Sequence, residues 1–504
     1  MRKSKVIFIK NALLLTAAGL IIRFFGLVFR VWLASHVGAE GMGLYSQVFS
    51  FYMLASAFAS TGINTAACRL TSEELARGNT GGVKKILKRC IAATLFIALS
   101  SAAAIFLGAN FIAERVIGDM RAAKSLKVLV ISLPFMGVSS CLKGYFIARK
   151  KASPASSSQI FEQLARIALV FFLVTKTAGR GIAYSCRAVV LGDSLAEILS
   201  CIFMYISYKV DKSRHLSNNN YTNLGYSVLG KLFHIAAPIT AGRYLNSTLR
   251  TIENVIVPKN LEKSGLSSAD ALSVFGVIKG MALPLIFFPA TFLNALSTLL
   301  IPEMSEASAG GRALKVKYTA EKCIHITLLA AFPLSIIFFY AGAPLGELFY
   351  KEADAGEIIR LLAPIVPLMY LDSVCDGLLK GLDEQLSIFR NSMIDSLGRI
   401  ALILVFLPKY GIYGFIGIMY LSNAFTSIMN LFRLKRMAKA ELPWFKWVIF
   451  PALCCLLIGT AVKLILDIFN LGALAFSIIF AVITVVLYLL VMFKSRALTI
   501  DDLK

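Results

Sequence analysis

The stretch AAGLIIRFFGLVFRVW, residues 17–32, is apolar throughout except for two arginines, Arg23 and Arg30. It belongs to an apolar run of about 20 residues, the length that an α-helix needs to cross roughly 30 Å of hydrocarbon. Runs of this kind recur along the 504 residues with short polar breaks, and 58% of all residues are hydrophobic. Strands of a membrane barrel would instead alternate in polarity over about ten residues. The sequence therefore predicts an all-α, polytopic membrane protein.

Fourteen apolar runs are long enough to span the membrane as helices. The first follows a basic N-terminus but lacks a convincing cleavage site, which favours an uncleaved first span over a signal peptide. The predicted spans cover residues 9–34, 44–69, 89–113, 126–149, 156–177, 185–208, 231–257, 270–300, 318–341, 356–380, 386–407, 411–433, 446–468 and 471–493.

The positive charge of the chain is concentrated in the breaks between the spans. There are 52 lysines and arginines against 28 acidic residues, a formal net charge of +24. Basic clusters at the N-terminus and in alternate breaks predict that both termini lie in the cytoplasm. Membrane topology explains this charge, since no basic soluble face with interleaved aromatic residues is visible. We therefore expect a multi-pass membrane protein whose partners include membrane lipid but no nucleic acid.

The residue types that often carry enzymatic chemistry are dispersed along the chain. The nine cysteines include no CxxC pair and the four histidines do not cluster, so we predict no disulfide, metal site or cofactor. The longest polar break, around residues 211–227, is too short for a soluble catalytic domain. We therefore expect a protein that is not an enzyme and whose function is carried out among its helices.

The chain also contains an internal repeat. EQLARIALV at 162–170 corresponds to DSLGRIALI at 395–403, a shift of 233 residues, and the shift is 220 near the start of each half. Six spans return the chain to the same side of the membrane. The repeat therefore predicts two homologous six-helix bundles around a central cavity, followed by two extra C-terminal helices. The predicted domains are an N-lobe at 1–210, a cytoplasmic linker at 211–229, a C-lobe at 230–440, and helices 13 and 14 with a cytoplasmic tail at 441–504.

Two pairs of arginines lie within equivalent predicted helices. The shift of 220 aligns Arg23 with Arg243. It also aligns Arg30 with Arg250. A charge at mid-bilayer costs roughly 3 kcal/mol or more, so such a residue normally faces a cavity or a partner. Residues seven positions apart share one helix face. Either these pairs bind an anionic group in the cavity, or Glu253 and carbonyl groups neutralise them as structural contacts.

Other charged residues are candidates for the same site, for ion coupling or for gating. Lys279 either adds a cation to the cavity or extends towards the interface. Asp372 and Asp376 share one face of a predicted helix, where they could bind a coupling cation, partner an arginine or end the helix. Glu73 and Glu303 follow equivalent spans and are expected to cap or gate them. Two i,i+4 pairs are expected to be structural ion pairs, namely Glu162 with Arg166 and Asp395 with Arg399.

Several longer stretches resemble a known superfamily of membrane transporters. RFFGLVFRVWLASHVGAEGMGLYSQVF at 23–49, LNALSTLLIPEMSEA at 293–307 and LPKYGIYGFIGIMYLSNAFTSIMNLF at 407–432 are similar to the polysaccharide-export branch of the multidrug/oligosaccharidyl-lipid/polysaccharide flippases. The resemblance covers essentially the whole chain. It implies a flippase of the bacterial cytoplasmic membrane that moves an undecaprenyl-pyrophosphate-linked oligosaccharide, such as a peptidoglycan or polysaccharide precursor, to the outer leaflet. It also implies alternating access and a role in sporulation or vegetative wall synthesis.

The resemblance implies a lipid-linked glycan as substrate and cell-wall or polysaccharide synthesis enzymes as possible partners of a monomer. Arginine suits a pyrophosphate because its planar guanidinium donates several hydrogen bonds at once. The predicted substrate-binding residues are Arg23, Arg30, Arg243, Arg250 and Lys279. In the lipid II flippase subgroup the second arginine comes one residue earlier and an acidic residue follows it, whereas Phe29 and Val31 flank Arg30 here. The alternative is a cation-coupled multidrug exporter of the same superfamily, for which an acidic cavity and twelve spans are expected.

Overall fold

The computed structural model describes residues 2–177, 179–215, 227–469 and 471–495. Within these ranges every regular element is helical, which confirms the all-α class. The predicted linker at 211–229 lies mostly outside the described residues. The α-helices are α1 (Arg2–Ala76), α2 (Thr80–Phe111), α3 (Arg121–Leu129), α4 (Leu133–Ala148), α5 (Ala152–Thr177), α6 (Ile182–His215), α7 (Val228–Lys263), α8 (Ser268–Gly276), α9 (Leu283–Ala309), α10 (Ala313–Tyr350), α11 (Ala353–Leu362), α12 (Val366–Gly381), α13 (Gln385–Ala438), α14 (Phe450–Asp467) and α15 (Ala473–Lys494).

Two helices are longer than any predicted span because each joins two spans across a bend. In α1 the bend is at Gly38, with φ 77° and ψ 171°, and in α13 it is at Gly411, with φ 55° and ψ −137°. Glycine reaches these positive φ values without the steric cost of a Cβ atom. The breaks predicted at 35–43 and 408–410 are therefore sharp bends with helix on both sides, not separate loops.

Eleven helical segments in the described part of the chain are long and apolar enough to cross a membrane. Two of them, Gly19–Ala76 and Gln385–Ala438, contain the bends and cover two predicted spans each. The helix α7 is not among the eleven, and its 36 residues carry Arg243, Arg250 and Glu253. The chain is thus a multi-pass membrane protein, whereas the count of fourteen spans stays a prediction.

The helices form two compact units. The first comprises residues 1–29 and 36–256, and the second comprises residues 30–35 and 257–504. Both units present large apolar side chains at their surfaces, and Leu107 of α2 is 83% exposed. Exposed apolar surface on this scale is expected of helices that contact lipid instead of water.

In the first unit, α7 packs closely against the second part of α1. Thr251 Oγ1 of α7 donates a hydrogen bond to the Ser50 carbonyl at 3.1 Å. Further along, the rings of Phe58 and Tyr244 lie 4.1 Å apart. At Gly62 the helices are so close that a Cβ atom would lie 2.3 Å from the Ala236 carbonyl oxygen. These contacts fix one side of α7 and leave its opposite side exposed.

In the second unit, α14 and α15 pack against α10. One buried cluster contains Leu329 of α10, Cys455 of α14 and Tyr488 of α15. A second buried cluster is formed by the same three helices and includes Val462 of α14 and Phe480 of α15. The last two described helices are therefore part of the second unit's core.

Candidate functional site

A pocket of about 440 Å³ lies within the first unit, between α1, α4, α5 and α6. Arg23 is in its wall, and Gly26, three residues further along α1, lies beside Gln163 of α5. A Cβ atom at Gly26 would lie 3.7 Å from Gln163 Nε2. The pocket is strongly polar for a site among membrane helices. Its charged lining residues are Arg23, Lys143, Glu162, Arg166 and Glu197.

The guanidinium of Arg166 is surrounded by three carboxylates from two helices. It lies 3.0 Å from Glu162 and 3.2 Å from Asp193. Its distance to the Glu197 carboxylate is 3.9 Å. Asp193 also accepts a hydrogen bond from Tyr45 Oη at 2.8 Å. The predicted Glu162–Arg166 ion pair is confirmed, but it is one part of a larger network.

Glu162 links this network to α4. Its carboxylate lies 3.6 Å from Lys143 Nζ and accepts a hydrogen bond from Ser200 Oγ at 3.1 Å. The other predicted pair, Asp395 with Arg399 in the second unit, is confirmed too, at 3.5 Å.

The structure places Arg23 and both arginines of α7 in the first unit. Arg23, Arg243 and Arg250 have exposed side chains, whereas Glu253 is buried in the same unit. Neither Arg23 nor Arg250 forms an ion pair with another residue of the described ranges. Their charges are thus available at the surfaces of α1 and α7, where an anion could reach them.

Arg30 and Lys279 belong to the second unit. Arg30 is half-buried and lies within electrostatic reach of the Tyr350 hydroxyl. That hydroxyl donates a hydrogen bond to the Met281 carbonyl at 2.9 Å. Lys279 is half-buried in a π-helical turn, Val277–Ala282, that precedes α9.

The two candidate aspartates of α12 have different partners in the second unit. Asp372 accepts a hydrogen bond from Asn430 Nδ2 at 2.9 Å. Asp376 pairs with Lys380 at 2.6 Å. In the part of the chain that the structure describes, no arginine pairs with either aspartate, although an arginine was one of the expected partners. No group of three or more described His, Cys, Asp and Glu residues is arranged to hold a metal ion.

The two candidate gating glutamates each pair with basic side chains in their own unit. Glu73 lies 3.3 Å from Arg69 and 4.0 Å from Lys231. Glu303 pairs with Lys315 at 2.8 Å. Both pairs are partly exposed and lie near the ends of long helices, where salt screens such interactions.

Residues 8–263, just over half of the chain, match the family of polysaccharide biosynthesis proteins. The chain belongs to this family. Among its relatives, the stage V sporulation protein B of Bacillus subtilis (strain 168) is 28% identical over 415 residues, which cover 82% of this chain and 80% of that protein. The family assignment agrees with the resemblance seen in the sequence.

Two solved structures of the multidrug/oligosaccharidyl-lipid/polysaccharide superfamily show that the fold is shared. The inward closed conformation of the lipid II flippase MurJ matches with a TM-score of 0.72 and 16% identity, and covers 98% of this chain and 100% of that one. An inward-facing multidrug resistance MATE transporter matches with a TM-score of 0.67 and 14% identity, and covers 83% of this chain and 99% of that one. Because a flippase and a drug exporter share the fold, the fold alone does not select a substrate.

The sequence analysis missed two charged residues that line the pocket, Lys143 and Glu197, and a third, Asp193, that contacts Arg166 beside it. Asp193 and Glu197 are four positions apart within one apolar helix, so they share a face. This spacing was a visible signal that two acidic residues point to one place inside the membrane. Lys143 gave no comparable signal, because it belongs to α4 and only the packing of helices brings it to Glu162.

Proposed function

We propose that the protein is a flippase that moves an undecaprenyl-pyrophosphate-linked oligosaccharide from the cytoplasmic to the outer leaflet of the bacterial cytoplasmic membrane. Transport takes place by alternating access. The family assignment and the shared fold support a transporter of the flippase superfamily. The arginines support the chemical class of the substrate.

The observation that carries the proposal is that arginines without an ion-pair partner recur on equivalent helices. Arg23 on α1 and Arg250 on α7 form no ion pair within the described ranges, and both are exposed. Keeping such charges among membrane helices is costly unless a ligand neutralises them. A pyrophosphate carries several negative oxygens, and guanidinium groups bind phosphate oxygens in bidentate geometry.

The remaining candidates have supporting roles in this proposal. Arg243 adds a cation for the headgroup in the first unit, and Arg30 and Lys279 supply cations in the second unit. Glu253 is a buried charge partner in the first unit, and the half-buried Asp372 accepts a hydrogen bond that holds Asn430 in position. The ion pairs at the helix ends regulate opening to either side, and they involve Asp376, Glu73 and Glu303.

The pocket argues for a lipid-linked glycan over an organic cation. Its acidic residues are already engaged by Arg166 and Lys143, whereas Arg23 forms no ion pair with the residues that the structure describes. A drug exporter that binds cations needs accessible acidic groups. The accessible charge here is positive.

The experiment is a transport assay with the purified chain in liposomes. A fluorescent undecaprenyl-pyrophosphate-linked oligosaccharide is placed in both leaflets, and a membrane-impermeant quencher reports its movement. Ethidium, an organic cation, is tested in parallel vesicles with an imposed ion gradient. We expect faster translocation of the lipid-linked glycan than in protein-free vesicles and no export of ethidium. Export of ethidium without glycan movement would reverse the assignment in favour of the multidrug exporter.

A further inference from the structure

Two glutamines on one face of α5 line the polar pocket of the first unit. Gln159 and Gln163 are four residues apart, so their side chains leave the helix on the same side. Gln163 is only 7% exposed, and its Oε1 accepts a hydrogen bond from Arg166 at 3.1 Å, which fixes the orientation of the amide. Its Nε2 lies towards α1 and has no hydrogen-bond acceptor in the part of the chain that the structure describes. Two N–H donors of a buried side chain are therefore available to a ligand.

Two serine hydroxyls of the same pocket are arranged as acceptors. Ser140 Oγ donates a hydrogen bond to the Ser60 carbonyl at 3.0 Å, and Ser60 Oγ donates to the Ser56 carbonyl at 2.8 Å. Each hydroxyl has a single proton, so the oxygen of each can only accept a further hydrogen bond. Donors and acceptors held side by side match a hydroxyl-rich ligand, because every hydroxyl of such a ligand both donates and accepts.

The carboxylates that line the pocket favour a neutral occupant. Glu162 and Glu197 are both lining residues, and Glu197 lies 3.9 Å from Arg166, beyond hydrogen-bond distance. Its carboxylate can therefore accept a hydrogen bond from a hydroxyl group. A phosphate beside these two carboxylates would be repelled, and the repulsion is strong where the dielectric is low. Arg23 is the better place for an anion, and the space beside the carboxylates suits an uncharged group.

Helix packing does not require the two glutamines. The shift of 233 that aligns Glu162 with Asp395 also aligns Gln163 with Ser396 and Gln159 with Ser392. Ser396 is 8% exposed, so a short side chain is accommodated at the equivalent buried position of α13. The pair of amides is a property of the first half, as is expected of groups that contact a ligand.

We propose that this pocket binds the sugar that is attached directly to the pyrophosphate of the substrate. Gln159 and Gln163 donate hydrogen bonds to oxygens of the sugar, Glu197 accepts from one of its hydroxyls, and Arg23 binds the pyrophosphate. The cavity of about 440 Å³ is within the range of roughly 300–1,000 Å³ that is usual for small-molecule sites. The ligand class is a neutral hexose. This inference rests on the proposed function, since it requires the pyrophosphate at Arg23.

The test compares two lipids that differ only in this sugar. The full chain in lipid nanodiscs is titrated calorimetrically with undecaprenyl pyrophosphate and with undecaprenyl-pyrophosphoryl glucose. A site built to hydrogen-bond a hydroxyl disfavours an analogue without it, because its polar groups then lose their partners. We expect the wild type to bind the glucose-bearing lipid at least about tenfold more tightly. Methyl glucoside, titrated in parallel, should bind far more weakly because it carries no anion for Arg23.

The variants remove the amides without shortening the side chains. Gln163→Met should lower the preference for the glucose-bearing lipid to nearly one and leave the affinity for undecaprenyl pyrophosphate unchanged. If Gln163→Met does not fold, Gln159→Met decides, because Gln159 forms no hydrogen bond with the described residues and its loss should lower the preference in the same direction. Gln385→Met, at an exposed glutamine that begins α13, is the matched control and should keep the wild-type preference. Arg23→Ala should weaken the binding of both lipids by the same factor.

The outcomes separate this inference from the proposed function. Equal affinities of the wild type for the two lipids, or a preference that survives in the glutamine variants, overturns the inference alone. An equal loss of both lipids in these variants, or binding of methyl glucoside as tight as that of the glucose-bearing lipid, also overturns it. No binding of either lipid by the wild type, or unchanged binding by Arg23→Ala, overturns the proposed function and the inference with it.

Discussion

Replacing Arg166 by methionine removes the positive charge at the centre of the three carboxylates of the first unit. The side chain of Arg166 is 25% exposed, and its two nearest carboxylates lie at 3.0 and 3.2 Å. Removal of one partner from a buried ion pair costs about 3–5 kcal/mol, because the remaining charge is left uncompensated. Here at least two carboxylates lose their main partner, while Lys143 still contacts Glu162. We therefore expect Arg166→Met to lower the free energy of unfolding by about 4 kcal/mol.

The internal repeat provides a matched comparison at Arg399. Arg399 has a similar exposure of 22% and pairs with Asp395 at 3.5 Å. A shift of 230 residues aligns Asp193 with Asn423 and Glu197 with Ser427, so both of these acidic positions are uncharged in the second half. Ser422 Oγ still donates a hydrogen bond to Asp395 at 2.6 Å after this substitution. Arg399→Met should therefore cost about 1–3 kcal/mol, less than Arg166→Met.

Both variants can be compared by reversible unfolding in mixed micelles with increasing sodium dodecyl sulfate. The cost of Arg166→Met should shrink as pH falls, because protonation of the carboxylates removes the repulsion among them. A cost for Arg166→Met below about 1 kcal/mol would show that the network is a solvated surface contact. Equal costs at positions 166 and 399 would refute the claim that the first half holds the larger cluster.

Two further predictions concern contacts that position helices of the first unit. Gly62→Ala should destabilise the protein by about 1–3 kcal/mol, because the new Cβ would lie 2.3 Å from the Ala236 carbonyl oxygen. The control is Gly417→Ala. A Cβ there has no neighbour within 4 Å, so this variant should be neutral or slightly stabilising. The same unfolding assay measures both, and a neutral Gly62→Ala would contradict the close approach. Asp211→Asn should cost more than Tyr145→Phe, because Asp211 accepts from Tyr145 Oη at 2.6 Å and also pairs with two basic side chains. Tyr145→Phe should cost about 1 kcal/mol, and a larger loss than in Asp211→Asn would contradict this ranking.

The helical class was predictable from sequence because apolar length is a local property. The ion pairs Glu162–Arg166 and Asp395–Arg399 were predictable for the same reason, since residues four apart are neighbours on a helix. The bends at Gly38 and Gly411 were not expected. Polar breaks in a membrane sequence look alike whether the chain forms a loop or a single bent helix.

The pocket was harder to predict than the arginine that lies in its wall. Arg23 was conspicuous as a charge in an apolar run, and its repetition at Arg243 marked it as functional. The neighbours of Arg23 come from α4, α5 and α6, more than 100 residues further along the chain. A contact of that kind depends on how helices pack, and neither periodicity nor composition encodes it locally.

The central claim is that arginines on α1 and α7 bind the headgroup of a lipid-linked glycan. The most direct measurement is the initial rate of glycan translocation in proteoliposomes that contain equal amounts of folded wild type, Arg23→Ala, Arg243→Ala and Arg436→Ala. Arg436 is an exposed arginine near the end of α13 and serves as the matched control. Loss of a charge-assisted hydrogen bond of about 1.5–3 kcal/mol predicts at least a tenfold lower rate for Arg23→Ala and Arg243→Ala, with Arg436→Ala at the wild-type rate. Wild-type rates for both Arg23→Ala and Arg243→Ala would contradict the account.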